Sequence, residues 1–208
     1  MAELLFTYEG PTSERHIKQI CRICEDDGVI IYATDVNWAL GCHYNSKKAL
    51  ARIELLKPHH PKSQPYSLIC SSLPMIAEFA YIETSSFKLL RKIFPGPYTV
   101  LLTINRNASR SFRNHRKSVG VRIPVRPLLT DIVERLGFPL ATTSLPPRAD
   151  GQPFHFGFEV FEAFGHGVDL MVDLGDEMPG LETTIVDMSN GGIEVIREGA
   201  GPISQLGL

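Results

Sequence analysis

Val29-Ile-Ile-Tyr-Ala-Thr-Asp35 decides the fold: a short apolar run that ends on two polar residues. Such a run reads as a strand buried on both faces, the kind that helices must cover. Helical periodicity lies on either side of it. Ser13 opens a pattern through Ile17, Ile20, Cys21 and Cys24 that stops at Asp27-Gly28. Ser46 caps a second, through Leu50, Ile53 and Leu56, which Pro58 ends. Further out, residues 58–66 read as a proline-rich loop feeding a strand at Ser67–Cys70. Ser85 or Ser86 begins a helix through Phe87, Leu90 and Ile93, and Pro95-Gly96-Pro97 turns the chain into a strand at Tyr98–Ile104. Val119–Ile123 reads as strand, Pro127–Leu136 as helix with proline in its first turn, and Pro139–Thr143 as strand. The tail predicts a helix at Phe158–Phe164 and strands at Asp169–Val172, Thr183–Met188 and Ile193–Arg197, with Asn190-Gly191 marking the last hairpin. Strands and helices alternate without a repeat or linker. That predicts one α/β domain over residues 1–208 with a twisted mixed sheet.

A chain of 208 residues, 43% hydrophobic and 21% charged, forms its own core. Disorder, collagen and disulfide miniproteins are excluded. No apolar run approaches the roughly 18 residues of a membrane span, and the start Met-Ala-Glu-Leu-Leu-Phe lacks the basic flank of a signal peptide. A cytoplasmic protein without membrane contact is expected. The four cysteines, Cys21, Cys24, Cys42 and Cys70, fall in predicted helix or strand, so reduced thiols are expected and Cys21-x-x-Cys24 reads as two small residues on a helix face. The net charge of −2 hides segregation: residues 88–126 carry ten Lys or Arg and no acid, whereas residues 150–208 carry eleven acids and Arg197 as the lone cation. Either the two segments neutralise each other or the basic one meets an anionic partner such as RNA.

The Walker loop, G-x-G-x-x-G, H-E-x-x-H and G-x-S-x-G motifs are all absent. What remains is a set of polar residues at strand ends: Thr34-Asp35, Arg122, Thr142-Thr143-Ser144, Thr183-Thr184 and Arg197. Ligands of α/β sheets bind beyond strand ends, and hydroxyls with a few arginines suit phosphate or carboxylate. A guanidinium within a strand must find an anion or water.

Taken in order, six segments resemble the YrdC/YciO family. They are the run from Val29 to Cys42, Phe94-Pro-Gly-Pro-Tyr-Thr99, Val119-Gly-Val-Arg-Ile-Pro124, Pro139-Leu-Ala-Thr-Thr-Ser144, Thr183-Thr-Ile-Val-Asp187 and Arg197-Glu-Gly-Ala200. The likeness runs from about residue 13 to residue 201. It implies a YrdC-like twisted mixed sheet with flanking helices and a large concave cavity. Enzymatic members, the threonylcarbamoyl-AMP synthases, join L-threonine, bicarbonate and ATP, with Mg2+, for the t6A modification of tRNA. Other members are described as binding double-stranded RNA or tRNA, which leaves an RNA-binding protein without synthase activity as the alternative.

By this resemblance Lys57, His60 and Arg122 are the catalytic candidates, Arg122 holding the amino acid carboxylate. Thr34 and Thr183 fall on the threonine side, Thr142 and Ser144 contact substrate and nucleotide, Arg197 reaches the ATP end, and Ser118 is a further nucleotide contact. No protein ligand set for a metal is implied. Two motifs depart from the synthases. The family's Lys-x-Arg-Pro becomes Lys57 with His60 after a one-residue insertion, and imidazole lacks the flat fork that grips two phosphate oxygens. The family's Ser-x-Asn becomes Ser144-Leu145-Pro146, and proline offers no donors. Trp38 and Ala39 stand where Tyr and Gly are usual. These changes point to the YciO-like branch and to reduced synthase activity.

Overall fold

The computed structural model describes residues 2–8, 13–57, 66–106, 108 and 117–207. Among them the chain alternates as the sequence predicts: β1 (Glu3–Phe6), α1 (Glu14–Glu25), β2 (Ile30–Ala33), β3 (Trp38–His43), α2 (Lys47–Leu56), β4 (Ser67–Ile69), α3 (Leu73–Phe79) and α4 (Thr84–Ile93). It continues through β5 (Tyr98–Thr103), β6 (Ser118–Arg122), α5 (Pro127–Leu136), β7 (Leu140–Ser144), α6 (Gly157–Phe164), β8 (Leu170–Asp173), β9 (Thr184–Asp187) and β10 (Glu194–Arg197). The ten strands form one mixed sheet in the order β1-β8-β2-β3-β7-β4-β6-β5-β9-β10.

Three elements escape the sequence reading, each for a local reason. β1 is four residues long and exists through parallel pairing with β8, far away in the chain. β3 alternates Ala39 and Gly41 on one face, so the period of two has no polar side to reveal it. α3 has seven residues with Pro74 in its first turn, and the Ser72 hydroxyl accepts from Met75 N at 3.4 Å. The helix expected from Ser85 or Ser86 begins at Thr84, with Glu83 at the N-cap. Most of the loop expected at 58–66 lies outside the described residues.

Residues opposite each other in a ladder share a face, so the register defines two unlike surfaces. Leu40, Ala141, Leu68, Val121, Val100 and Val186 occupy one face and are buried. Helices α1 and α2 pack on β3, and α5 packs on β4 and α1, which brings Ile20, Cys24, Leu129 and Val133 into the core. The opposite face includes Ile69, Leu101 and Arg122, but across its centre it carries Ala39, Gly41, Thr142, Ser144, Ser67, Ser118, Gly120 and Thr99. Side chains this small cannot fill the concavity of a twisted sheet, so a hollow remains.

Burial also settles the thiols. All four cysteines are free and buried, and desolvation pushes the Cys21 thiol up to about 11 and the Cys42 thiol to about 12. They are unreactive near neutral pH. No helix among the described residues is long and apolar enough to cross a membrane.

Gly41 is a tight point of the small face, because a Cβ there would stand 2.6 Å from the Tyr32 ring and 2.9 Å from its hydroxyl. Gly41→Ala is expected to cost about 1–3 kcal/mol. A thermal melt reads this as a Tm lower by roughly 2–4 °C per kcal/mol.

Candidate active site

The hollow on the small face encloses about 540 Å³. Its walls include Thr34 and Ala39 beside β2 and β3, Thr142, Thr143 and Ser144 of β7, Ser67 of β4, Lys117, Ser118 and Arg122 along β6, Thr99 of β5, and Thr183 and Arg197 beside β9 and β10. Seven of the nine residues expected to form a site therefore share one recess. Lys57 follows α2 and reaches its edge: its ammonium donates to Thr143 Oγ1 at 2.7 Å and to the Ser144 carbonyl at 2.6 Å. His60 lies outside the described residues. A second hollow of about 690 Å³, beside the edge strand β1, is lined by Leu4, Phe6, Phe156, Phe158 and Phe161. Its charged lining groups include Glu162, Asp173 and Asp176 but no lysine or arginine, so it does not suit an anion.

Arg122 is buried and its guanidinium Nη2 donates to Asp35 Oδ1. Asp35 belongs to the turn after β2, so this ion pair ties that turn to the end of β6 across the recess. Arg126 reinforces the tie, donating to the Thr34 carbonyl at 3.1 Å and pairing with Asp176 at 2.9 Å. Burial pushes the Arg122 pKa down while Asp35 pushes it up. Arg122 Nε and Asp35 Oδ2 are buried without a partner among the described residues. The need of a strand guanidinium for an anion is thus met from within the chain.

The hydroxyls differ in what they can still do. Thr34 Oγ1 donates to the Asn37 carbonyl at 2.7 Å and accepts from Val36 N and Asn37 N, which exhausts its capacity. It shapes the turn and offers the recess its methyl group. Thr142 Oγ1 donates to the Leu40 carbonyl and accepts from the buried Tyr32 hydroxyl at 2.7 Å, leaving it able only to accept. Thr183 Oγ1 shares a proton with Thr99 at 2.9 Å and accepts from Arg197 Nη2 at 3.3 Å. Arg197 also donates to the Thr183 carbonyl, and its Nη1 pairs with Glu182 at 2.9 Å. The Ser118 and Ser144 hydroxyls are uncommitted among the described residues.

Asp35, Thr99, Ser67 and Lys117 are site residues to which the sequence assigns no role. Asp35 was visible at a strand end but its partner was not. Lys117 is hidden among the cations of residues 88–126. In that basic segment Arg110, Arg113 and Arg116 lie outside the described residues, while Arg122 and Arg126 turn to carboxylates, one of them in the acidic C-terminal third.

The family profile named Sua5_yciO_yrdC, described as telomere recombination, matches residues 22–199. The protein YciO of Escherichia coli K12, uncharacterized, is 28% identical over 204 residues and 98% of each chain. The crystal structure of E. coli YciO superposes with a TM-score of 0.90 over 99% of this chain and all of that one. A threonylcarbamoyl-AMP synthase of Psychromonas ingrahamii is 27% identical over 134 residues, 63% of this chain and 70% of its own. The Sua5 protein of P. abyssi in complex with L-threonine shares the fold, with a TM-score of 0.84 at 20% identity over 99% of this chain and 59% of that one.

Two outcomes follow from the charges. Asp35→Ala leaves the Arg122 guanidinium buried and unpaired, and should cost about 3–5 kcal/mol in urea unfolding. Desolvation lowers the Lys57 pKa to about 8, against a smaller opposing pull from Glu182. An anion beside Ser144 favours the protonated form, so affinity for inorganic pyrophosphate should fall as pH rises from 7 to 9. Titrations in two buffers of different ionisation enthalpy should show proton uptake on binding near pH 8, lost in Lys57→Gln.

Proposed function

Because the chain belongs to the Sua5/YciO/YrdC family, we propose that its recess holds ATP beside L-threonine or a related small amino acid and forms a carbamoyl adenylate, in the manner of the threonylcarbamoyl-AMP synthases. The single observation that carries this reading is the meeting of Arg122, Thr183, Ser118 and Ser144 in one hollow with Lys57 at its rim. On this reading the product serves tRNA modification. The synthase of P. ingrahamii and the threonine complex of Sua5 support it by likeness.

The chemistry asks for what such a hollow supplies. Bicarbonate condenses with the amino group to a carbamate, losing water. A carbamate oxygen then attacks the α-phosphorus of ATP, a P–O bond forms, and the bond to pyrophosphate breaks with pyrophosphate leaving. Carbamate is short-lived, so the reactants must be held in line and shielded from water. Arg122, at one end of β6, orients the amino acid carboxylate. Ser118 lies four residues away, about 13 Å along the strand, and with Ser144 takes the nucleotide. Hydroxyls and lysines stabilise charge developing on the departing pyrophosphate.

The recess lining contains no carboxylate among the described residues, and no group of three metal-ligating side chains occurs among them. On this reading magnesium would come with ATP as part of the substrate.

Turnover is below that of a synthase with both family motifs. Pro146 brings no amide to the nucleotide, Thr34 has no hydroxyl capacity left, and a substrate carboxylate must share Arg122 with Asp35. Pyrophosphate release from ATP in the presence of L-threonine and bicarbonate tests the proposal. Arg122→Lys keeps a charge beside Asp35 but loses the fork, and is expected to raise the KM for threonine about tenfold. Absence of threonine-dependent release rejects the synthase reading, and absence of ATP binding in calorimetry rejects the nucleotide site as well.

A further inference from the structure

Hydrogen-bonding capacity is used unevenly along the recess. At the Arg122 end each guanidinium has its own carboxylate, Asp35 for Arg122 and Glu182 for Arg197, so the charge there is already neutralised. At the Ser118 end the situation is reversed. Lys117, Ser67, Ser118 and Ser144 all line this hollow, and among the described residues none of their side chains has a hydrogen-bond or ion-pair partner. Space is kept above them by Gly120, where a Cβ would stand 2.6 Å from Ser67 Oγ.

Position separates Lys117 from the other cations. Lys57 has two of its three N–H donors taken by Thr143 and Ser144, and it touches the recess only through them. Lys117 immediately precedes β6, lines the recess, and has no ammonium donor taken by another described residue. Ser67 sits opposite Thr142 on the neighbouring strand, in the middle of the floor. A ligand carrying several acceptor oxygens and net negative charge satisfies these groups together; a zwitterion does not.

Resting on the nucleotide reading above, we propose that Lys117 and Ser67 fix the phosphate chain of the nucleotide. Lys117 supplies at the start of β6 the cation that the Lys-x-Arg segment lacks. Arg122 and Arg197, each bound to a carboxylate, leave the phosphate chain to it.

Calorimetric titration of sodium pyrophosphate, ATP and L-threonine into the full chain tests this. Lys117→Ala should weaken pyrophosphate and ATP binding about tenfold or more, and Ser67→Ala about threefold, as expected for charged and neutral donors to phosphate. Lys117→Arg should stay within about threefold of wild type, and threonine affinity within about twofold in every variant. Lys88→Ala, an exposed lysine on α4 away from the recess, should change nothing. Thermal melts of each variant verify folding.

Equal affinities of wild type and Lys117→Ala for pyrophosphate and ATP overturn the inference, as does an equal loss in Lys88→Ala, or a wild type that binds no pyrophosphate. The synthase reading fails separately: Lys117-dependent pyrophosphate binding without threonine-dependent pyrophosphate release rejects that reading and leaves the assignment of Lys117 standing. Threonine-dependent release unchanged by Lys117→Ala does the opposite.

Discussion

A β-sheet can close only a face whose side chains are large enough to meet something, and here one face lacks them. On β3, β7, β4 and β6 most positions facing the recess are held by alanine, glycine, serine and threonine, with Arg122 at one end, while the reverse face is mainly leucine, valine and alanine packed under helices. The proposed site depends on this asymmetry. The hollow is a feature of composition at alternate positions, and the twist of ten strands wraps it into a recess.

The Asp35–Arg122 pair is the second element of the design. It joins a turn near one edge of the small face to the far end of β6, and so holds the recess in shape while placing a guanidinium in its wall. A buried pair of this kind seldom adds net stability compared with apolar packing, yet losing one partner is costly. It is best understood as a device of position: the guanidinium is held where a carboxylate-bearing ligand can share it. The same logic applies to Arg197, which Glu182 and the Thr183 carbonyl hold in place. Charge compensation at one end leaves the uncommitted donors concentrated at the other, and the recess acquires a direction.

Segregated charge in the sequence has the same explanation where the structure describes it. Arg126 from the basic stretch pairs with Asp176 from the acidic third, and Arg122 turns to Asp35. Those two cations serve the interior architecture of the site.

The sequence by itself determined the alternation of helices and strands, the mixed sheet and several polar residues of the recess, because buried runs, helix caps and polar strand ends are local signals carried by neighbouring residues. Arg122, Thr183 and Ser144 were legible in that way, each at or near a strand end, and Ser118 through the family resemblance. It did not determine β1 or β3, whose pairing partners are remote or whose exposed period is blank. Nor did it determine which hydroxyls are free. Thr34 looks the same in sequence as a ligand-binding threonine, but three bonds to its own turn exhaust it. Tertiary structure alone decided that Asp35 answers Arg122, and that Lys117, one cation among many, is among the residues that line the recess. The physical reason is that hydrogen-bond capacity is allotted between strands far apart in the chain, and only the folded register says which donors remain.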